Sequence, residues 1–530
     1  MWRRVLLLSG LWFTGAIFLT FTGRVDNLLA DDAYYYFEIA RNAATGQGFT
    51  FDSLATTNGF HALWAWFLVV VFRLFPASYW LPIHIALGFS ALCVTASGLL
   101  LYRLFARRGA PLAGEITTCA WLCNPFTVTL GFRGLEQPLN VLLLMLSISM
   151  WDGVRQRARY APAELFGLGV AIGGAILART DNVLWLGAVG CVLVWDLWRR
   201  RAHLGLPSRV LSFAAGALVS ASPWFLWNLL TFGTLVQTSV DAKRIFRLYG
   251  DLPPILSAGS PGLRTLWELP YGAARNLLLA AQSCFRFATV EEWKGAAIAN
   301  RLAVATAAYA AVVIVLALKL RRRPAGERGP LQRVRNSIGA SIGAFIALHF
   351  VVYVYVVGSY SNWYFLPPVL VASLALGLSL AWVSSLGRRA QNLVLAAHVV
   401  GFVAVSSVTT RGHFATTTES RHREYRDLGG AIPKGARIGL WNAGELAYFF
   451  SFYFPEDVVI NLDGVVNNEV TRAAHEERYE EYVLKHVDVI VESPSKFRDV
   501  LSPQRADAFV ARHVRIRGRA GGRAVSVIVP

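Results

Sequence analysis

Cysteine, methionine and charge are all scarce in this chain. Its 530 residues include 5 cysteines and 3 methionines. Cys93, Cys119, Cys123, Cys191 and Cys284 fall mostly within apolar runs, and Cys119 and Cys123 stand alone on their segment. Neither a disulfide framework nor a zinc site is indicated. No internal repeat of about 20–50 residues is visible, so a transporter built from inverted halves gains no support. Charged residues make up only 16%, against roughly 25% in ordinary soluble chains, while 55% are hydrophobic and the mean hydropathy is +0.44. Such a chain cannot hide its apolar surface in a water-soluble core.

What is present is a series of about eleven apolar runs, from Val5–Thr22 to Leu393–Val408, a few shorter than the roughly 20 residues that a bilayer requires. Met1-Trp-Arg-Arg followed by an apolar stretch looks like a signal peptide, but no small-residue cleavage site precedes Asp26, so the first helix is expected to be retained. The net charge of +18 resembles a nucleic-acid signal until the cations are located. Arg3 and Arg4, Arg103 with Arg107 and Arg108, Arg155 to Arg159, Arg199 to Arg201, Lys319 to Arg323, and Arg388 with Arg389 fall at every second gap between runs. That is the positive-inside pattern, and it removes nucleic acid as a partner. It predicts a multi-pass protein of the cell inner (plasma) membrane with a cytoplasmic N-terminus.

The alternation closes only if Phe60–Phe75 lies along the interface instead of crossing. The segments then expected outside are 23–80, 131–137, 179–182, 231–300, 358–362 and everything after about 410. Residues 1–410 form the membrane module in this reading. In 411–530 the composition turns charged and alternating: Arg437–Trp441, Val458–Leu462, Val487–Val491 and Val525–Val529 read as strands. Glu419–Leu428, Glu445–Tyr453 and Ala473–Lys485 read as helices, giving an extracytoplasmic α/β domain. It has no G-x-G-x-x-G, and Asn442-Ala-Gly-Glu445 is too short a signal for a phosphate cradle.

The outward segments carry the chemistry. Asp31-Asp-Ala-Tyr-Tyr-Tyr follows the first run, then Gly46-Gln-Gly-Phe-Thr-Phe and Thr57-Asn-Gly-Phe-His61. The simplest reading has Asp31 or Asp32 capping a helix that Gly46 ends, with the tyrosines in an interfacial belt. Two adjacent carboxylates at a membrane surface also offer a general base and a partner for a cation or a sugar hydroxyl. Arg133-Gly-Leu-Glu136 and Arg179-Thr-Asp181 are short loops with ionisable residues. Arg179 lies where cations are disfavoured, so either an ion pair with Asp181 or an anion such as a phosphate is expected to compensate it. Lys243 and Arg244 are further outer cations, and Trp363 and Tyr364 lie in an aromatic outward turn.

The order of these motifs, Asp-Asp-Ala-Tyr-Tyr, Thr-Asn-Gly-Phe-His, Gly-Leu-Glu, Arg-x-Asp, Asn-x4-Phe-Gly with Ser-x3-Lys, and Trp-Tyr, resembles membrane glycosyltransferases of the GT-C fold. It is most similar to the polyprenyl-phosphate-sugar-dependent enzymes related to mannosyl, arabinosyl and aminoarabinose transferases. The pattern departs from theirs at Ala62, where Pro is more common, and at Thr238-Ser-Val-Asp, where Pro-x-Ser-Gly is common. The resemblance implies an extracytoplasmic C-terminal module, an interfacial helix after the first loop, and an acidic base in that loop, which carries over to Asp31 or Asp32.

From this follows an expected reaction. Asp31 takes the proton of an acceptor hydroxyl on a glycan, lipid or protein, and attack inverts the anomeric centre of a polyprenyl-phosphate sugar. Asp32 positions the acceptor or, with Glu136, holds a metal; a divalent cation is the one candidate cofactor. Arg179, Lys243 and Arg244 bind the donor phosphate, while Tyr35, Glu136, Asp181, His61, Trp363 and Tyr364 contact substrate. A flippase of lipid-linked sugars is the rival, but it would want ionisable residues near the membrane midplane, and most charges here lie at the ends of runs.

Overall fold

The computed structural model describes residues 2–21, 29–122, 131–157, 159–199, 206–245, 330–352, 418–520 and 523–529, together with Thr127, Leu370 and Asn392. Its helices begin with α1 (Trp2–Thr20), α2 (Asp31–Ala44), α3 (Ala62–Leu74), α4 (Trp80–Ala106) and α5 (Pro111–Leu122). They continue with α6 (Gln137–Arg155), α7 (Pro162–Ala178), α8 (Val183–Arg199), α9 (Leu206–Phe232), α10 (Thr238–Ile245) and α11 (Pro330–Val351). Among the described residues three helical stretches are long and apolar enough to cross a membrane: Trp80–Ala106, Thr180–Arg199 and Pro207–Phe232. The expected runs at 302–318 and 393–408, and all of 363–383 but Leu370, lie outside the described residues. Helix α3 has 13 residues, about 20 Å at 1.5 Å per residue, well short of a roughly 30 Å hydrocarbon core.

Helices α7 and α9 meet through glycine. A Cβ on Gly169 would lie 2.1 Å from Phe213 O, one on Gly216 2.1 Å from Phe166 O, and one on Gly173 2.6 Å from Ser220 Cβ. Only hydrogen at these positions lets the backbones approach so closely, the packing logic of small residues spaced by four. Tryptophan N–H groups stitch the remaining helices: Trp185 Nε1 donates to Ser147 Oγ at 2.9 Å and Trp151 Nε1 to Ser341 Oγ at 2.9 Å. Some basic residues that mark topology also form pairs. Arg108 bonds Asp152 with both side chains buried, and Arg155 Nε lies 2.8 Å from Asp196.

After α12 (Thr418–Ala431) come β1 (Arg437–Leu440), α13 (Gly444–Tyr453), β2 (Val458–Asn461), α14 (Asn468–His475), α15 (Tyr479–His486) and β3 (Val489–Ile490). They are followed by α16 (Pro503–His513), β4 (Val514–Ala520) and β5 (Arg523–Ile528). The sheet order is β2-β1-β3-β5-β4, with β2, β1 and β3 parallel and the last two strands antiparallel. Because the chain steps from β1 to β2 and then across to the other side of β1, the carboxyl ends of β1 and β3 flank a topological switch point.

Two sequence expectations change here. The helix expected over Ala473–Lys485 is two helices, broken where Glu477 adopts φ +55°. Helix α16 and strand β4 were not anticipated. The former begins with Ser502, whose side chain accepts from Arg505 N, and the latter alternates arginine with small or apolar residues and is exposed along most of its length.

Candidate functional site

Helix α2 lies between the apolar helix α3 and the α/β unit. Nine of its 14 residues are buried. Tyr34, Tyr35 and Tyr36 are 1%, 4% and 7% exposed, so the tyrosines are core residues and not the expected interfacial belt. The capping expectation also changes: α2 starts after Ala30 with no side-chain cap. Asp31 caps a different helix. Its Oδ1 accepts from Glu445 N at 2.8 Å and its Oδ2 from Gly444 N at 3.1 Å, both in the first turn of α13. Both carboxylate oxygens of Asp31 are thus engaged by backbone N–H groups of another element. Removal from water pushes its carboxyl up to about 7 in spite of these bonds, with the charge of Asp32 a lesser cause.

Asp32, one residue on, lines a pocket of about 530 Å³ including its open mouth. Tyr35, Tyr36, His61, Glu136, Arg179 and Gln237 share its wall, joined by Gly59, Phe60, Leu135, Ser239 and Val465. The turn before α3 is fixed from two sides: His61 N donates to Tyr36 Oη at 3.2 Å, and Gln237 Nε2 donates to Phe60 O at 2.6 Å. Gln237 Nε2 also lies 3.1 Å from His61 Nδ1, leaving His61 Nε2 3.7 Å from Glu136 Oε1. His61 is the residue before α3, so its ring sits at the helix start without capping it.

Arg179 ends α7 in extended backbone and is 3% exposed. Its Nη1 donates to Glu136 Oε1 at 2.6 Å, and its Nη2 and Nε reach Asp181 at 3.0 and 3.2 Å. The ion pair with Asp181 that the sequence allowed is formed. Glu136 Oε1 also accepts from Gln137 Nε2 at 2.8 Å. Arg133 is close enough to Asp32 for its charge to oppose the lowering that burial imposes on the guanidinium.

A second buried network ties the pocket together from outside. Asn58 Oδ1 accepts from Asn468 Nδ2 at 3.1 Å and from Thr238 N at 3.1 Å, while Asn58 Nδ2 donates to Asn228 Oδ1 at 2.9 Å. Residues of α9, α10 and α14 thus converge on one amide.

Of the candidates from sequence, Asp32, Tyr35, His61, Glu136 and Arg179 come together, and Asp181 pairs with Arg179 behind them. Asp31 does not join them. Helix α10 carries Lys243 and Arg244, whose side chains lie outside the described residues, as do Trp363 and Tyr364 altogether. Sequence reasoning passed over Gln237 and Val465. Tyr36, Ser239 and Arg133 stood in quoted motifs without being chosen, Arg133 three residues before the chosen Glu136. As a metal site, the set of Asp32 and Glu136 fits poorly: no group of three or more His, Cys, Asp or Glu converges among the described residues, and Glu136 Oε1 is already engaged.

Residues 60–227 match the family model described as dolichyl-phosphate-mannose-protein mannosyltransferase. No curated protein matches the chain significantly. Among solved structures, ArnT from Cupriavidus metallidurans in the apo state is similar at 15% identity and TM-score 0.56, covering 99% of this chain and 98% of that one. The same protein bound to undecaprenyl phosphate gives 15% identity and TM-score 0.52, covering 98% and 97%. The Archaeoglobus fulgidus oligosaccharyltransferase tethered to an acceptor peptide gives 11% identity and TM-score 0.50, covering 98% of this chain and 75% of that one. The likeness is one of fold across nearly the whole chain, and together with the family match over residues 60–227 it agrees with the GT-C fold suggested by the motif order.

Proposed function

We propose that the protein is an integral membrane glycosyltransferase that moves a sugar from a polyprenyl-phosphate donor to an acceptor hydroxyl on the extracytoplasmic side. The observation that carries this reading is the division of labour in α2: Asp32 opens onto the pocket that holds His61, Glu136 and Arg179, while Asp31 is bound elsewhere. Support comes also from the similar ArnT structure that contains undecaprenyl phosphate. Asp32 takes the proton from the acceptor oxygen as that oxygen bonds to the anomeric carbon. The bond from that carbon to the phosphate oxygen breaks, and polyprenyl phosphate leaves from the opposite face, with inversion. Arg179, in the pocket wall, and Arg133, near enough to Asp32 to feel its charge, offset the charge of the leaving phosphate. Arg179, balanced by two carboxylates, contributes less than a lone guanidinium would.

The test is transfer from a panel of radiolabelled polyprenyl-phosphate sugars by the purified protein. Asp32→Asn keeps size but cannot accept the proton, so transfer falls by roughly two to four orders of magnitude while donor binding persists. An Asp32→Asn variant as active as the parent would remove this carboxylate from the mechanism.

A further inference from the structure

Helix α13 starts with no cap of its own. Ala443 precedes it with no side-chain bond, so the first N–H groups of the helix need partners from elsewhere. Three of them find acceptors in the first turn and a half of α2. Asp31 takes Gly444 N and Glu445 N, and Tyr35 Oη takes Ala443 N at 2.9 Å. The approach is so close that a Cβ on Gly444 would lie 2.1 Å from Asp31 O.

From this cap a short chain of bonds leads back to the pocket. Asn442, in left-handed backbone at φ +49°, donates its N–H to Asp463 Oδ2 at 3.0 Å, and Asp463 Oδ1 accepts from Val465 N at 3.0 Å. Val465 is the residue through which the α/β unit lines the pocket. It faces Gly59, where a Cβ would sit 2.1 Å from Val465 O. One turn of α2 therefore carries both Asp32, which opens onto the pocket, and the anchor of the wall opposite.

We infer that Asp31 is a positioning residue that docks the α/β unit on α2, so that the Leu462–Val466 loop forms the acceptor-facing wall of the pocket. The donor's polyprenyl tail belongs to the membrane helices, so the wall supplied by the α/β unit bears on the acceptor. The kinetic consequence rests on the glycosyltransferase reading; the docking itself does not.

The experiment compares Asp31→Asn and Gly444→Ala with the parent, as full chains in detergent micelles, by hydrogen exchange and by kinetics. Asn presents one N–H group to the helix donors, and Ala drives a methyl into the Asp31 carbonyl. The expected result is faster exchange in peptides spanning 441–453 and 462–467, parental exchange across 503–528, and an acceptor KM raised about tenfold to a hundredfold with donor Kd unchanged. Unchanged exchange at 441–453 in both variants overturns the docking role. Loss of protection across 503–528 as well overturns it in favour of plain stability of the α/β unit. Faster exchange with parental KM and kcat overturns the wall. If the parent transfers no sugar, the glycosyltransferase reading falls, and the exchange pattern still decides the docking.

Discussion

Replacing Arg179 by Met tests whether the guanidinium serves the fold or the donor. Its side chain and that of Glu136 are each 4% exposed, and Asp181 is 12% exposed, so removing the cation strands one carboxylate in the interior and a second near it. Breaking a buried pair from one side costs about 3–5 kcal/mol, and the loss should fall at the low end of that range because Glu136 keeps its bond from Gln137 Nε2. Glu136→Gln is milder: Arg179 keeps Asp181, and the loss is about 1–3 kcal/mol, the worth of a charge-assisted bond. In the double variant the Glu136 charge is gone, so its cost should fall below the sum of the single ones by about 1–3 kcal/mol. Denaturant titration in micelles, followed by tryptophan fluorescence, measures all three. If Arg179→Met unfolds with the parent and yet fails to bind a polyprenyl-phosphate donor, the ion-pair argument is refuted and the guanidinium is a phosphate ligand.

Gly169→Ala should lower stability by about 1–3 kcal/mol by forcing α7 and α9 apart, since its Cβ would lie 2.1 Å from Phe213 O. Gly153→Ala, with nothing within 4 Å, is the matched control, and equal unfolding midpoints for the two would sink the close-packing account. In the α/β unit, bonding to the Arg437 side chain holds the Asp488 carboxyl below its usual range. Its stabilisation is present above the ordinary carboxylate pKa of about 4 and is lost as pH falls through the lower folded value. Arg437→Met should therefore be less stable than the parent at pH 6, by less than about 1 kcal/mol for so exposed a pair, and the gap should narrow on acidification to about pH 2.5. A gap of the same size at both pH values, read by circular dichroism, would count against the pair.

The apolar runs and the strands of the α/β unit were readable because each is written locally, as continuous hydrophobicity or as alternation. Arg437–Leu440 and Val458–Asn461 need only their own residues and a neighbour. The elements that escaped are those whose local signal points elsewhere. Glu477 adopts left-handed backbone, φ +55°, without being Gly or Pro, so no residue type marks the break. Strand β4 interleaves three arginines with small or apolar residues and leaves both faces largely exposed, so no buried period betrays it. Gln237 and Val465 belong to no motif. They reach the pocket by tertiary approach, as the 2.1 Å from a Gly59 Cβ to Val465 O records.

Asp31 and Asp32 show where local reading stopped one step early. As a dyad they suggested two carboxylates at one site. But Asp31 opens a helix, and at 3.6 residues per turn neighbouring side chains point about 100° apart, so two adjacent aspartates cannot share a ligand through parallel side chains. Residues four apart do share a face. Asp31 and Tyr35 form one such pair, and both bind the start of α13, with Tyr35 also reaching the pocket wall. Asp32 and Tyr36 form the other, and both line the pocket. The division of the dyad thus followed from the helix start alone. Which half would meet the pocket did not, because the partner of Asp31 lies 413 residues further along the chain.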